Sequence, residues 1–233
     1  MSNTPAGGGH APFGGPGAGA RAAVLGRVAS ALGRAAPATC DPVTVAAGVE
    51  RGYRRGDGDG GDRRSVEDLI ALFAERVADY GATVSVVAGG DVAAAVAAAA
   101  GKGRVLAPPA LDQTWLAGLP RAELDSPPRP VAELDGVDAA VTACAVAVAE
   151  TGTIILDHGP DQGRRALTLV PDHHVCVVEA SRLVATVPQA VGRLRPGGVL
   201  TWISGPSATS DIELDRVAGV HGPRRLDVVV ARG

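Results

Sequence analysis

The chain has 233 residues, enough for one large domain or a domain with a tail. Apolar residues make up 46% of it but aromatics only 3%, so its core has to be built from Val, Leu, Ile and Ala. Against 25 acidic residues stand 22 basic ones, and the net charge of −3 offers no footing for nucleic acid or an anionic membrane.

The basic residues are arginines except for Lys102. A phosphate-cradling Walker loop needs Gly-Lys-Ser/Thr, and Gly101-Lys102-Gly103 does not supply it. Cys40, Cys144 and Cys176 are far apart and form no Cys-x-x-Cys pair, so no disulfide framework, zinc site or iron–sulfur site is encoded locally. A reducing, cytoplasmic setting is expected. No apolar run reaches the ~18 residues of a membrane span, and the N-terminus lacks the pattern of a signal peptide.

Residues 1–20 carry seven glycines, three prolines and no Lys, Arg, Asp or Glu, which predicts a disordered tail. Residues 21–64 are expected to hold a helix and a linker. Ala22, Val24, Leu25, Val28, Ala29 and Leu32 recur at helical spacing, with Gly33 as the stop. Pro37 to Ala47 reads as an extended linker with a short turn. Arg51 to Arg64 is a charged, glycine-rich insert. Its Asp57-Gly-Asp-Gly-Gly-Asp62 run fails as an EF-hand, because Gly61 stands at the third ligand position and Asp62 where the glycine is required.

The α/β pattern begins at Ser65, which caps a helix with Val66, Leu69, Ile70, Phe73, Val77 and Tyr80 on one stripe and Gly81 at its end. Ala82 to Val87 reads as a strand, Val92 to Ala100 as a helix capped by Asp91, and Arg104 to Ala107 as a strand broken by Pro108-Pro109. A Pro-rich bridge, Pro120 to Pro130, precedes a buried strand at Ala139 to Cys144 and a compact Ala/Val turn. Thr153 to Leu156 and His173 to Val178 are strands, separated by a glycine-bearing turn and a short apolar element. Val187 to Leu194 is a helix, and Val199 to Ser204 and Leu226 to Val230 are the last strands. Strands alternating with helices imply a parallel sheet flanked by helices over residues 65–233.

Chemistry concentrates in two stretches. Ser204-Gly-Pro-Ser-Ala-Thr-Ser-Asp-Ile-Glu213 follows a strand at its carboxyl end, where open α/β sheets receive ligands. Backbone N–H groups there, with the hydroxyls of Ser204, Ser207, Thr209 and Ser210, suit an anion. Ser210-x-x-Glu213 also fits a capping box, and the competing reading is a plain strand–turn–helix connection. In Glu150-Thr-Gly-Thr153 a carboxylate leaves an apolar run, either as a functional group or as an exposed turn glutamate. Arg164 is a candidate anion contact. His173, His174 and Cys176 do not make a metal site, because adjacent strand residues point to opposite faces and two ligands are too few.

Ala149-Glu-Thr-Gly-Thr-Ile-Ile-Leu156, Gly159-Pro-Asp-Gln-Gly-Arg164, Leu169-Val-Pro-Asp-His-His-Val175, the 204–213 loop and Gly219-Val-His-Gly-Pro223 occur in this order. As a set they closely resemble the LUD-domain family of lactate utilisation protein C, also called LutC or YkgG, over roughly residues 65–231. The resemblance implies an α/β fold with a Rossmann-like sheet and flanking helices, similar to the NagB/RpiA/CoA-transferase group. It also implies a part in oxidising L-lactate to pyruvate beside iron–sulfur LutA-like and LutB-like partners, with no cofactor in this chain. Two positions depart from the family pattern. Ala208 stands where an arginine is expected, and Asp161 lies in a turn usually richer in glycine.

Two functions follow. One is a non-cluster component of a lactate-oxidising system that docks its partners and holds a small carboxylate. The alternative is an enzyme resembling a CoA-transferase, or an isomerase acting on a phosphosugar. In the first form of that alternative, Glu150 is nucleophile or general base. Thr151, Gly152, Thr153, Ser207 and Thr209 surround the carboxylate or oxyanion, and Asp211 or His221 orients groups. Fold-level analogy alone carries that alternative.

Overall fold

The computed structural model describes residues 18–33, 47–50, 52, 64–195, 197–209 and 217–233. Most of the tail at 1–20, most of the linker at 37–47, most of the insert at 51–64 and the capping box at 210–213 lie outside them. The chain divides into two compact units, Met1–Tyr53 and Arg54–Gly233. In the first, helix α1 runs over Ala18–Ala31, three residues earlier than its apolar spacing predicts.

In the second unit the chain enters through α2 (Val66–Asp79), whose start is a reciprocal capping box. The Ser65 hydroxyl accepts from the Asp68 N–H at 3.1 Å, and Asp68 accepts from the Ser65 N–H at 3.1 Å and from its hydroxyl at 2.7 Å. These bonds satisfy donors that a helix start leaves open and hold the Asp68 carboxyl below its ordinary range. Ser65→Ala is expected to lower stability by about 1 kcal/mol, measured by urea denaturation.

Then follow β1 (Thr83–Ala88), α3 (Val92–Ala100), β2 (Val105–Ala107), β3 (Ala122–Leu124), α4 (Val131–Leu134) and β4 (Ala139–Thr142). Next come β5 (Val146–Val148), β6 (Thr153–Leu156), β7 (His173–Glu179), β8 (Leu183–Val184), α5 (Val187–Arg193), β9 (Thr201–Ile203), β10 (Ala208–Thr209), β11 (Val217–Ala218) and β12 (Arg225–Arg232). Six strands form an all-parallel sheet in the order β1-β12-β7-β4-β2-β3, the Rossmann-like α/β arrangement. Its register places His174 beside Leu226 and beside Ala140.

A second sheet, β8-β5-β6-β9, corrects the single-sheet expectation. The run read as an Ala/Val turn is strand β5, paired antiparallel with β6. Its residues Val146, Ala147 and Val148 are all buried. One face of this sheet (Ala147, Ile154, Leu156) meets Cys176, Val178, Val228 and Val230 of the large sheet, with Ile70, Phe73 and Val77 of α2 in the same core. The other face (Val146, Val148, Ile155) packs on Ala190 of α5. Helix α3 covers the far side of the large sheet through Val92 and Val96, against Val175, Val177 and Val229.

Candidate functional site

Helix α2 sets the position of both chemistry-bearing stretches. Gly152, in the turn between β5 and β6, has φ +59°, and a Cβ there would lie 2.8 Å from the backbone of Arg76 and Val77. Gly205, just past β9, has φ +98°, and its Cβ would lie 2.6 Å from that of Tyr80. Each motif glycine is therefore where the chain passes under the last turns of α2.

The two stretches are joined on one side rather than facing each other. Strands β6 and β9 are hydrogen-bonded neighbours. A line of hydroxyls runs from Thr151 Oγ1 to Thr153 Oγ1 (2.8 Å) and on to Ser204 Oγ (2.8 Å). Ser204 opens onto a cleft of about 260 Å³ lined by Thr201–Ala208, Arg165, Thr168 and Leu169, His221–Pro223, Leu226 and His174. This small volume suits a ligand of few atoms. Within its rim the Ser207 hydroxyl accepts from the His221 N–H at 3.0 Å, so its own proton is left to donate. The Ser207 N–H is committed to Pro223 O at 2.9 Å, which removes it from the anion-binding backbone expected there.

The ligand rule used for the 204–213 loop does not apply. Strand β9 belongs to the antiparallel part of the second sheet, and Ser204–Ala208 line one cleft with His174 and Leu226, at the amino ends of β7 and β12. The carboxyl ends of the large sheet are instead tied by ion pairs. Arg182 bonds Asp161 (2.7 Å), Glu179 (3.0 Å) and the Cys144 carbonyl. Arg164 grips Asp125 through Nε (2.7 Å) and Nη2 (3.3 Å) and reaches the Arg129 carbonyl. Burial works to raise the Asp125 pKa, but the Arg164 and Arg129 contacts overcome it, and the carboxyl stays below the usual range. Arg164 is thus spent inside the fold. Its neighbour Arg165 lines the cleft and has no ion-pair partner among the described residues.

The cleft floor holds what sequence reasoning missed. His174 is 1% exposed, and its Nε2 lies 2.8 Å from Thr142 Oγ1. The Thr142 hydroxyl donates to Ala143 O at 2.8 Å, so Nε2 carries the ring proton and Nδ1 is a bare lone pair. No described residue bonds Nδ1. Full burial, reinforced by the charge of His173, pushes the His174 pKa down to about 4. The imidazole is therefore neutral at pH 7. His173 points to the opposite face, where it bonds Asp227 (2.5 Å), itself paired with Arg225 (2.9 Å). A further histidine, His158, adopts φ +57° and bonds both Gly163 O (3.3 Å) and Thr201 Oγ1 (2.9 Å). Donation of Nδ1–H to the carbonyl makes Nε2 the acceptor, which turns the Thr201 proton away from the cleft.

Of the sequence candidates, Ser207 and His221 line the cleft, while Thr151 and Thr153 reach it through Ser204. Gly152 acts by its contact with α2, and Arg164 is tied to Asp125. Glu150 is exposed at the hairpin tip and does not line the cleft. Of Thr209 only the backbone is described, in β10, and Asp211 lies outside the described residues.

Residues 131–231 match the LUD domain family. Lactate utilization protein C of Deinococcus radiodurans is 50% identical over 168 residues, covering 70% of this chain and 79% of that protein. The namesake in Bacillus subtilis is 36% identical over 91 residues, 38% of its length. A crystal structure of a DUF162 family protein from Deinococcus radiodurans superimposes with a TM-score of 0.62 at 42% identity, covering 72% of this chain and 99% of that one. With half of its aligned residues shared across most of that relative, the chain belongs to the LUD-domain family of lactate utilization protein C.

Proposed function

We propose that this chain is the non-iron–sulfur component of an L-lactate utilisation system, working with iron–sulfur partner proteins that carry the electrons from lactate to pyruvate, and that its cleft holds a small carboxylate. The observation that carries the reading is the 50% identity to a protein named for lactate utilization, over 79% of that protein's length. A small anion suits the cleft of about 260 Å³, whose lining includes Ser204, Ser207 and Arg165, a guanidinium with no ion-pair partner among the described residues.

Deletion of the gene is expected to abolish growth on L-lactate and to spare growth on pyruvate. The tagged chain is expected to co-purify a brown, iron-containing protein from lactate-grown cells. Unimpaired growth of the deletion strain on L-lactate sinks the reading.

A further inference from the structure

Four consecutive residues, Thr201 to Ser204, line the cleft. The first three form strand β9, in which neighbouring side chains point to opposite faces. Side chains alone cannot bring all of them to one cavity, so the cleft runs along the strand's edge and meets its backbone. That edge is open. Strand β9 stands last in the order β8-β5-β6-β9 and pairs only with β6 among the described residues. In an antiparallel pair, alternate residues turn both N–H and C=O away from their neighbour, and β9 turns such groups toward the cleft. Edge strands are usually blunted by charge, by proline or by a covering element. Thr201-Trp-Ile203 carries neither charge nor proline, and Trp202 is 44% exposed.

Two further features lie beside this edge. Leu169 and Trp202, both exposed, give the cleft apolar lining. Arg165 gives it a guanidinium with no ion-pair partner among the described residues. A free main-chain edge calls for a peptide backbone, the apolar lining for a side chain, and the unpaired cation for a carboxylate. The end of a polypeptide supplies all three together. We propose that the cleft receives the C-terminal end of a partner polypeptide, added as a short strand along β9. Its last side chain is apolar and packs on Trp202 and Leu169, and its terminal carboxylate meets Arg165. This rests on the small-carboxylate reading of the cleft and deepens it by naming what carries the carboxylate. The dimensions agree with a chain end. Strand β9 is 3 residues long, and beyond it Gly205 takes the chain under α2. A cleft of about 260 Å³ admits one side chain and a carboxylate rather than a longer segment.

Titration calorimetry of the full chain compares acetate, the peptide acetyl-Thr-Val-Thr-Val with a free C-terminus, and the same peptide amidated. The free acid is expected to bind about ten-fold tighter than the amide, which lacks the charge for Arg165. It is also expected to bind about ten-fold tighter than acetate, which has neither main chain nor side chain. Arg165→Gln, a change at an exposed position, is expected to bind acid and amide alike. Methylating alternate peptide nitrogens tests the strand. Only one of the two alternating sets faces β9, so one methylated peptide is expected to lose binding and the other to keep it. Equal binding of acid and amide overturns the terminal carboxylate, and equal effects of the two methylated sets overturn strand addition. A peptide that binds no better than acetate overturns the chain-end proposal and leaves the small-carboxylate reading standing. Failure of acetate and peptide alike overturns both readings of the cleft, and leaves the place of the chain in lactate utilisation to the growth experiment.

Discussion

Gly152→Ala is expected to destabilise the α/β unit by about 3 kcal/mol, a loss of roughly 10 °C in melting temperature. Two costs combine. An L residue at φ +59° is held in the left-handed region, worth roughly 1–2 kcal/mol. The new methyl would lie 2.8 Å from the Arg76 and Val77 backbone, and overpacking of this kind costs about 1–3 kcal/mol. The helix backbone cannot yield locally, because Phe73 and Val77 anchor α2 in the core. Gly81→Ala separates the two costs. Its φ is +88° but nothing lies within 4 Å of its Cβ, so only the conformational part should appear. Urea denaturation of both variants measures the difference, and equal losses would show that the close approach to α2 carries no strain.

Acid is expected to weaken the protein well before its carboxylates titrate. His174 has its pKa lowered in the fold from 6.5 to about 4. Between these values the unfolded chain binds a proton that the folded chain does not, so stability falls as pH drops from 6.5 to about 4 and then levels. A window of about 2.5 units, at about 1.36 kcal/mol per unit, gives a loss of about 3 kcal/mol. The groups around the ring do not mask the effect. Thr142 and Leu226 are neutral, the Cys176 thiol is raised by Cys144 and by burial, and the charge of His173 adds to the lowering. Asp125 and Asp227 have lowered pKa values, so the stability they add is present above 3.8 and is lost below the His174 window. Denaturation midpoints measured from pH 7 to pH 4 should slope for the natural protein and lie nearly flat for His174→Gln.

Helix α2 and the two longest strands were the legible elements. Helix α2 announces itself by Ile70, Phe73 and Val77 on one stripe behind a capping Ser65, and β7 and β12 by their Val runs. Strand β5 was not legible, because Val146 to Val148 is buried on both faces and, at 3 residues, is too short for an apolar run to stand out among the alanines. Strand β3 and helix α4 are three and four residues long, too short for a period to show beside the prolines. At the site, the hydroxyls of Thr153 and Ser204 were found in the right motifs, but their pairing depends on β6 and β9 being neighbours. That Arg164 is tied into the fold while Arg165 lines the cleft is not readable locally, since only the contact with Asp125, 39 positions away, tells the two apart. His174 was weighed as a metal ligand. A polar residue among Val175, Cys176 and Val177, sharing its face with Cys176, was the available signal for a partnered buried imidazole.

The position of the cleft at the amino ends of β7 and β12 bears on how it holds charge. The start of α3, with its aligned peptide dipoles, follows the carboxyl end of β1 at the opposite edge of the sheet's strands. An anion in the cleft therefore gains nothing from that helix and depends on Arg165, a side chain open to solvent. Its hold is weakened by dissolved ions, whose screening length shrinks from about 30 Å at 0.01 M to about 8 Å at 0.15 M. Occupancy of the cleft should accordingly follow ionic strength, filling in dilute buffer and emptying as salt is added.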